Sequence, residues 1–195
     1  MLKKKKILLL LLFAASLIAV SIIEISAQSA DKASAVTIRK IDKQVVLYTV
    51  VRGNYGKAGM EIGMLYARAA TKQITPQGAA YFVYLNNPTK TSCEHYLTEI
   101  RIPVEANALK YAGSLGDMTD VKEVPAVEVA VALKPEGMAD PSCVYRDLEH
   151  WIAGNGYTAD DSPIEKFLTN AQAGKYEQMK SEIMIPIVKV SLEKK

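Results

Sequence analysis

Apolar and polar positions alternate in two stretches of the chain that have almost the same sequence. TEIRIPV covers residues 98–104 and SEIMIPI covers residues 181–187, which places the two stretches 83 positions apart. Alternation over such a length is typical of a β-strand with one buried face. At the same offset RKIDKQVVLYTVV falls on KEVPAVEVAVALK, and each has a charged beginning followed by an alternating apolar run. The pattern predicts an internal duplication.

Between the matching strands, each half contains one segment in which the apolar residues recur at helical spacing. These segments lie within residues 57–73 and within residues 140–157. Apolar residues three or four positions apart share one face of a helix, so one helix is predicted in each half. Each helix is followed by a polar turn and a further predicted strand, at residues 79–85 and at residues 162–168. Each half is therefore predicted to run strand, helix, strand, strand.

The predicted fold class is α+β. An outer strand is predicted before each unit, so repeat 1 covers about residues 36–104 and repeat 2 about residues 120–190, with a polar, glycine-containing linker at residues 105–119. One such unit leaves a face of its sheet bare, whereas two units can share one sheet. The prediction is one curved antiparallel sheet made of duplicated β-α-β-β units, with two helices on one face and a central pocket. A chance match remains the alternative, because short apolar strands carry little information.

The two matching strands each carry a glutamate, Glu99 and Glu182. Because side chains alternate along a strand, both are predicted to point away from the helices, into a cleft on the other face. Arg101 follows Glu99 two residues later and can neutralise it, whereas Met184 takes that place beside Glu182. A carboxylate among apolar neighbours needs a cation or a hydrogen-bond donor. Glu182 is therefore predicted to be the charge anchor for a ligand, with water-exposed glutamates on an open sheet as the alternative.

Aromatic residues are frequent around the predicted position of Glu99. Tyr84 and Tyr96 are both predicted to lie on the strands that flank Glu99. A carboxylate with aromatic walls suits a lipophilic cation, through charge pairing and cation–π contact. Trp151 lies on the apolar face of the second helix, where an anchor of the core is the other interpretation. The predicted ligand-binding residues are Glu182, Glu99, Tyr84, Tyr96, Trp151 and Met184.

The first 30 residues have a composition of their own. MLKKKK is followed by an apolar run at residues 7–23 and then by small residues. This order is typical of a secretory signal peptide. The run is slightly shorter than the about 20 residues that a membrane-spanning helix needs. A cleaved signal peptide and an uncleaved membrane anchor both remain open, and in either case the domain at residues 31–195 is expected to be exported.

Charge argues against one class of partner. The whole chain has 24 Lys and Arg and 21 Asp and Glu, but residues 1–27 hold four of the lysines and one of the glutamates. The remainder therefore has no net charge. A protein that binds nucleic acid needs surplus cations to displace the counterions of phosphate groups. No nucleic-acid partner is predicted.

The two cysteines leave two interpretations open. In an exported protein Cys93 and Cys143 can form one disulfide, and two free thiols are the alternative. Together with His95 and His150 they do not have the spacing of zinc ligands. No metal and no cofactor are predicted.

The sequence also resembles the GyrI-like small-molecule-binding domain, which is the effector-binding module of many AraC- and MerR-type transcription regulators. The resemblance rests on VVLYTVVRGNYGKAGMEIGMLY, on the YLNNP turn and on the closing SEIMIPI, and it covers about residues 37–190. It implies a duplicated α+β fold with a central pocket. It also implies a pocket glutamate on the last strand of the second repeat, which here is Glu182, with Glu99 as its counterpart.

The predicted leader stands where such regulators have a helix-turn-helix, and an exported domain does not meet DNA or gyrase. The sequence therefore predicts an exported or membrane-tethered protein that binds a small lipophilic or cationic ligand. Two alternatives remain. The resemblance extends to hydrolases that use the pocket glutamate, so a small-molecule hydrolase with that glutamate as general base is one. A structural or interaction module, whose cleft is filled by its own side chains, is the other.

Overall fold

The computed structural model describes residues 35–87, 90–116, 118–168 and 179–190. The predicted signal peptide or membrane anchor at residues 1–30 lies outside these ranges. Within them, no helix has the length and the apolar composition that crossing a membrane requires.

The described residues form nine strands and two α-helices in the order that the sequence predicts for two repeated units. The first unit consists of β1 (Thr37–Ile41), β2 (Gln44–Arg52), α1 (Tyr55–Thr71), β3 (Tyr81–Tyr84) and β4 (Leu97–Val104). The second consists of β5 (Thr119–Val124), β6 (Val127–Lys134), α2 (Ser142–Gly154), β7 (Tyr157–Ala159), β8 (Ile164–Phe167) and β9 (Ser181–Lys189). Short 3-10 helices lie at Cys93–His95 and Ala106–Tyr111.

Side chains accept hydrogen bonds from the backbone at the start of both helices, that of the N-cap residue Asn54 at α1 and that of Asp140, which precedes the N-cap Pro141, at α2. The Asn54 side chain accepts a hydrogen bond from the backbone N–H of Lys57 at 3.2 Å, which satisfies one of the donors left free at the start of α1. At α2, Asp140 accepts from the backbone N–H of Ser142 at 3.0 Å. Gly156, with φ of +76°, follows the end of α2, where glycine adopts this conformation at little cost.

The two units join into one antiparallel sheet. Its strand order is β1-β6-β9-β8-β3-β4-β2-β5, and β7 pairs with β9. At the junction of the units Phe82 on β3 pairs with Glu165 on β8, and these two residues are themselves 83 positions apart. The residues on either side of them pair crosswise. A local twofold axis therefore passes between Phe82 and Glu165, and the predicted α+β fold of duplicated units in one antiparallel sheet is confirmed.

The sheet is strongly curved. Strands β1 and β2 are separated by two residues, 42–43, although they stand near opposite ends of the strand order, and the same holds for β5 and β6 with residues 125–126 between them. A two-residue link spans only about 10 Å, so the sheet must roll up. Its helix-free face lies inside the roll, where Val46, Val129 and Met184 are buried in one apolar cluster.

The other face of the sheet carries the helices. Helix α1 covers the first half through Leu65 and Ala69, and α2 covers the second half through Leu148 and Ile152. Burial of an aliphatic side chain contributes about 1.5–3 kcal/mol, so these helices stay on the sheet mainly through such contacts. The expectation of a cleft on the helix-free face is wrong at the centre of the sheet, because rolling fills that face with apolar side chains.

Candidate functional site

A cavity of about 790 Å³ lies on the helix-covered face, close to the local twofold axis. Strands β3 and β8 and the first turns of α2 contribute its walls, together with the loop that precedes α2. Its volume is within the range of about 300–1,000 Å³ that small-molecule sites in proteins have. Its aromatic lining residues are Phe82, Tyr84, Tyr145 and Phe167.

A buried carboxylate forms part of the cavity lining. Glu165 is 7% exposed, and its Oε1 accepts a hydrogen bond from the Ser181 hydroxyl at 2.5 Å. The Lys134 Nζ lies 3.1 Å from the same oxygen. The Tyr84 hydroxyl donates to the other oxygen, Oε2. We call Glu165, Lys134, Ser181 and Tyr84 the polar floor, because each of its polar groups is held by another group of the set.

Strand alternation explains how the polar floor forms. Ala130, Ala132 and Lys134 of β6 point to the helix-covered face, and Lys134 pairs across the strands with Ser181 of β9. Glu165 on β8 lies on the same face as Phe82, its cross-strand partner. The floor therefore combines the ends of β6 and β9 with the middle of β8.

The first repeat lacks these charges. At an offset of 83 residues, Lys134 corresponds to Val51 and Glu165 corresponds to Phe82. Sequence reasoning missed Glu165 and Lys134, although this comparison contains a usable signal. A charged residue replaces an apolar one at two positions that face the helices. Such a replacement is costly in a core unless the charges pair, so it points to a site.

Ser181 also has an informative counterpart. The same offset places Thr98 at its position in the first repeat. The Thr98 hydroxyl is buried and has no hydrogen-bond partner among the described residues. Of these two equivalent hydroxyls, only that of Ser181 therefore has an acceptor among the described residues, and that acceptor is Glu165.

The rim of the cavity is polar and more exposed than the floor. Asp140 accepts hydrogen bonds from both the hydroxyl and the backbone N–H of Ser142, and these bonds lower the pKa of its carboxyl below the ordinary value of 3.8. Arg146 and Glu149 of α2 also line the cavity. Charges at such a rim are screened by water and salt, in contrast to those of the floor.

Glu182 lies outside the lining of this cavity. Its side chain is 21% exposed, and its Oε1 is 2.9 Å from Nη2 of Arg39 on the edge strand β1. The expectation that Glu182 lacks a charged partner is therefore wrong, because the rolled sheet brings β1 of the first unit beside the second unit. A role for Glu182 in ligand binding stays a prediction.

Glu99 has two cationic partners. Its carboxylate lies 2.5 Å from Nε of Arg101 and 2.7 Å from Nζ of Lys122, and the Lys122 ammonium also stands 4.2 Å from the centre of the Tyr48 ring. Glu99 and Glu182 are on β4 and β9, three strand spacings apart along the sheet, or about 14 Å. The structure does not bring the two glutamates together.

Of the remaining predicted site residues, Tyr84 lines the cavity. Trp151 stacks on Tyr157 with 6.2 Å between ring centres and packs against the core beneath α2, as the core-anchor interpretation expects. Met184 is 4% exposed and belongs to the apolar cluster inside the roll. Tyr96 follows a 3-10 helix, and its carbonyl accepts a hydrogen bond from Gly53. Binding roles for these residues stay predictions.

The cysteines are free thiols, with Cys93 exposed and Cys143 partly buried. In the part of the chain that the structure describes, His, Cys, Asp and Glu do not cluster in groups of three or more that could hold a metal ion.

Comparisons with known proteins agree with this architecture. The model of the GyrI-like small molecule binding domain matches residues 34–188. The crystal structure of the EcmrR C-terminal domain has a TM-score of 0.63 and 18% identity, over 80% of this chain and 99% of that one. The crystal structure of a hydrolase from Listeria innocua has a TM-score of 0.58 and 13% identity, over 85% of this chain and 97% of that one.

The cryo-EM structure of an EcmrR–DNA complex has a TM-score of 0.63 and 15% identity and covers 87% of this chain. The chain spans 63% of the length of EcmrR in that complex. A comparison with curated proteins finds no match. At these identities the structural likeness shows the fold alone.

Proposed function

Since the chain belongs to the GyrI-like small-molecule-binding domain family, we propose that it binds a lipophilic small molecule in the cavity between β3, β8 and α2. One observation carries the proposal: a cavity of about 790 Å³ whose lining combines aromatic side chains with a buried, fully hydrogen-bonded carboxylate. Apolar walls with a few placed polar groups are the usual composition of a ligand site. Aromatic walls suit both ligand kinds that the sequence left open, lipophilic and cationic.

In this proposal Glu165, and not the sequence-predicted Glu182, is the glutamate that contacts the ligand. Glu165 lines the cavity and is buried, whereas Glu182 lies on the helix-free face and is paired with Arg39. A ligand in the cavity contacts the polar floor directly. It does not reach Glu182, because the sheet itself stands between them.

The geometry favours binding over the two alternatives. A hydrolase would use a pocket glutamate as general base, but both oxygens of Glu165 already accept from Ser181, Lys134 or Tyr84. To act as general base, Glu165 would have to accept a proton from water or substrate at an oxygen that already accepts a hydrogen bond from one of these residues. A structural module would have a cavity filled by its own side chains, and the open volume between β8 and α2 argues against it.

Thermal unfolding of the full chain with and without N-phenylnaphthylamine, a neutral aromatic probe, tests the proposal. We expect saturable stabilisation, of about 2.7 kcal/mol when the probe is at 100 times its dissociation constant. Ala139→Phe, which adds bulk to the cavity wall, should reduce this stabilisation. Ala67→Phe, on the exposed side of α1, is the matched control and should leave it unchanged.

Equal stabilisation of both variants would mean that the probe partitions elsewhere and would contradict the cavity as the binding site. N-phenylnaphthylamine has no bond that hydrolysis cleaves, so incubation with an aromatic ester of similar size, 1-naphthyl acetate, separates binding from hydrolysis. Steady product formation would favour the hydrolase.

We also propose that the domain is exported, either released or tethered by its N-terminal segment. The basic, apolar and small-residue order of residues 1–30 supports this. Amino-terminal sequencing of protein recovered from fractionated cells tests it. A start near residue 28 in the exported fraction indicates a cleaved signal, and an intact start at Met1 in the membrane fraction indicates a tether. Intact protein in the cytosolic fraction would contradict export.

A further inference from the structure

We propose that Lys134 makes this cavity selective for uncharged ligands and against lipophilic cations. The inference rests on the proposed function and adds to it the charge class of the ligand and the residue that determines it. It departs from the cation that the sequence led us to consider, because that expectation required a carboxylate without a cationic partner.

The charge of the Glu165 carboxylate is already neutralised within the protein. The Lys134 side chain is 3% exposed, and its ammonium lies 3.1 Å from Oε1 of Glu165. The Ser181 and Tyr84 hydroxyls occupy the remaining positions around the carboxylate. One positive and one negative charge leave the polar floor without net charge. A cation that enters the cavity therefore finds no uncompensated carboxylate on this floor.

The cost of entry differs between a cation and a neutral molecule of the same shape. A cation loses its hydration when it is buried, and it recovers that energy only if an opposite charge is available to it. A neutral ligand does not have this desolvation cost, so its contacts with the aromatic walls are enough to make binding favourable. The rim charges Asp140, Arg146 and Glu149 lie where water and salt screen them, so they do not replace a buried counterion.

The position of Lys134 is better explained by ligand choice than by stability. Val51 occupies the equivalent position in the first repeat and packs against the apolar core there, so the fold itself accepts an apolar residue. A buried ion pair is commonly no more stable than an apolar pair of similar size. The lysine thus changes the electrostatics of the second half of a duplicated sheet, on the face that borders the cavity.

A competition experiment with two ligands of the same shape tests the role of Lys134. Benzyltrimethylammonium and neopentylbenzene differ in having a quaternary nitrogen or a quaternary carbon, and each is titrated against N-phenylnaphthylamine bound to the full chain. The wild type should bind the neutral compound more tightly. In Lys134→Met the ratio of the two dissociation constants should shift by about tenfold or more toward the cation, because Glu165 then lacks its cation.

Two variants control for other effects. Lys166→Met removes an exposed lysine from the opposite face of β8, and it should leave the ratio unchanged. Lys134→Arg keeps the positive charge and should keep the preference for the neutral compound. Circular dichroism of each variant verifies folding. If Lys134→Met does not fold, Lys134→Gln takes its place.

The outcomes separate the inference from the proposed function. If N-phenylnaphthylamine does not bind the wild type, the proposed function fails. If it binds but benzyltrimethylammonium competes better than neopentylbenzene in the wild type, or if Lys134→Met and Lys166→Met give the wild-type ratio alike, the inference fails and the proposed function stands.

Discussion

Lys134 and Glu165 are charged side chains that lie 3.1 Å apart beneath the cavity, and both are buried. Taking both out of water is expensive, and their attraction offsets that cost only while both are present. Loss of one partner removes this attraction but leaves the desolvation cost of the other charge. At the scale of single residues, this pair is the most sensitive point of the site.

The first prediction concerns this pair. Glu165→Gln should lower the free energy of unfolding by about 3 kcal/mol, because the buried Lys134 ammonium loses the carboxylate that lies 3.1 Å from it. Glu182→Gln, at the partly exposed pair with Arg39, should cost no more than about 1 kcal/mol. Urea denaturation of both variants gives the comparison. Equal losses would contradict the assignment of Glu165 as the buried member of the site.

The second prediction uses two residues that occupy equivalent positions in the repeats. Thr98→Val removes a buried hydroxyl that has no partner among the described residues, so it should raise the free energy of unfolding by about 1 kcal/mol. Ser181→Ala removes a donor to Glu165 and should lower it by about 1 kcal/mol. The two substitutions are expected to change the free energy of unfolding by similar amounts in opposite directions, and urea denaturation measures both. If both substitutions stabilise the protein, or both destabilise it, the assignment of an acceptor to Ser181 but not to Thr98 is wrong.

At the scale of elements, the start of α2 forms one rim of the cavity and depends on a carboxylate. Hydrogen bonds from the side chain and the backbone of Ser142 lower the pKa of Asp140 below its ordinary value of 3.8. A depressed pKa in the folded state means that the stabilisation is present above the unfolded value and is lost as the pH falls through the folded value. The hydrogen-bonded turn at the start of α2 is therefore sensitive to acid.

The third prediction follows from this sign. Asp140→Ala should lower the melting temperature at neutral pH, and the difference from wild type should shrink below about pH 3.8. Asn54→Ala at the start of α1 is the matched control, because the Asn54 side chain does not titrate. It should cost about 1 kcal/mol at every pH. Melting curves by circular dichroism across this range test both, and a pH-independent loss in Asp140→Ala would refute the role of the carboxylate.

Most elements were predictable from the sequence, because the apolar periodicity and the turn residues between the periodic segments indicate the same boundaries. Both helices and the strands of both repeats lie where alternation and helical spacing place them. Three short elements were missed, among them the 3-10 helix at Cys93–His95. Strand β7 has three residues, too few for a pattern, and the predicted polar linker contains a 3-10 helix whose Ala108 is fully buried. Such short elements depend on neighbours that are distant in sequence.

At the scale of the whole molecule, alternation assigned Glu99 and Glu182 to the same face of the sheet but could not show how the sheet curves. The curvature that fills this face follows from the pairing of β1 with β6 and of β5 with β2. The two-residue links at residues 42–43 and 125–126 are visible in the sequence. They indicate curvature only once it is known that the strands they join lie near opposite ends of the sheet, and that order depends on tertiary pairing.

The duplication also explains why the cavity has one polar floor. The twofold axis passes between Phe82 and Glu165, so equivalent positions meet there as an aromatic ring and a carboxylate. Tyr84 of the first repeat donates across the axis to Glu165 of the second. One site is thus assembled from both repeats: the first contributes the aromatic residues Phe82 and Tyr84, and the second contributes the carboxylate of Glu165.

A crystal structure of the protein with a brominated N-phenylnaphthylamine tests the central claim most directly, because anomalous scattering locates the bromine. We predict that the bromine lies on the helix-covered face between Phe82, Tyr84 and Tyr145, with the polar floor within contact distance of the ligand. A bromine position beside Glu182 or Glu99 on the helix-free face would contradict the account and would return the ligand to the site that the sequence alone predicted.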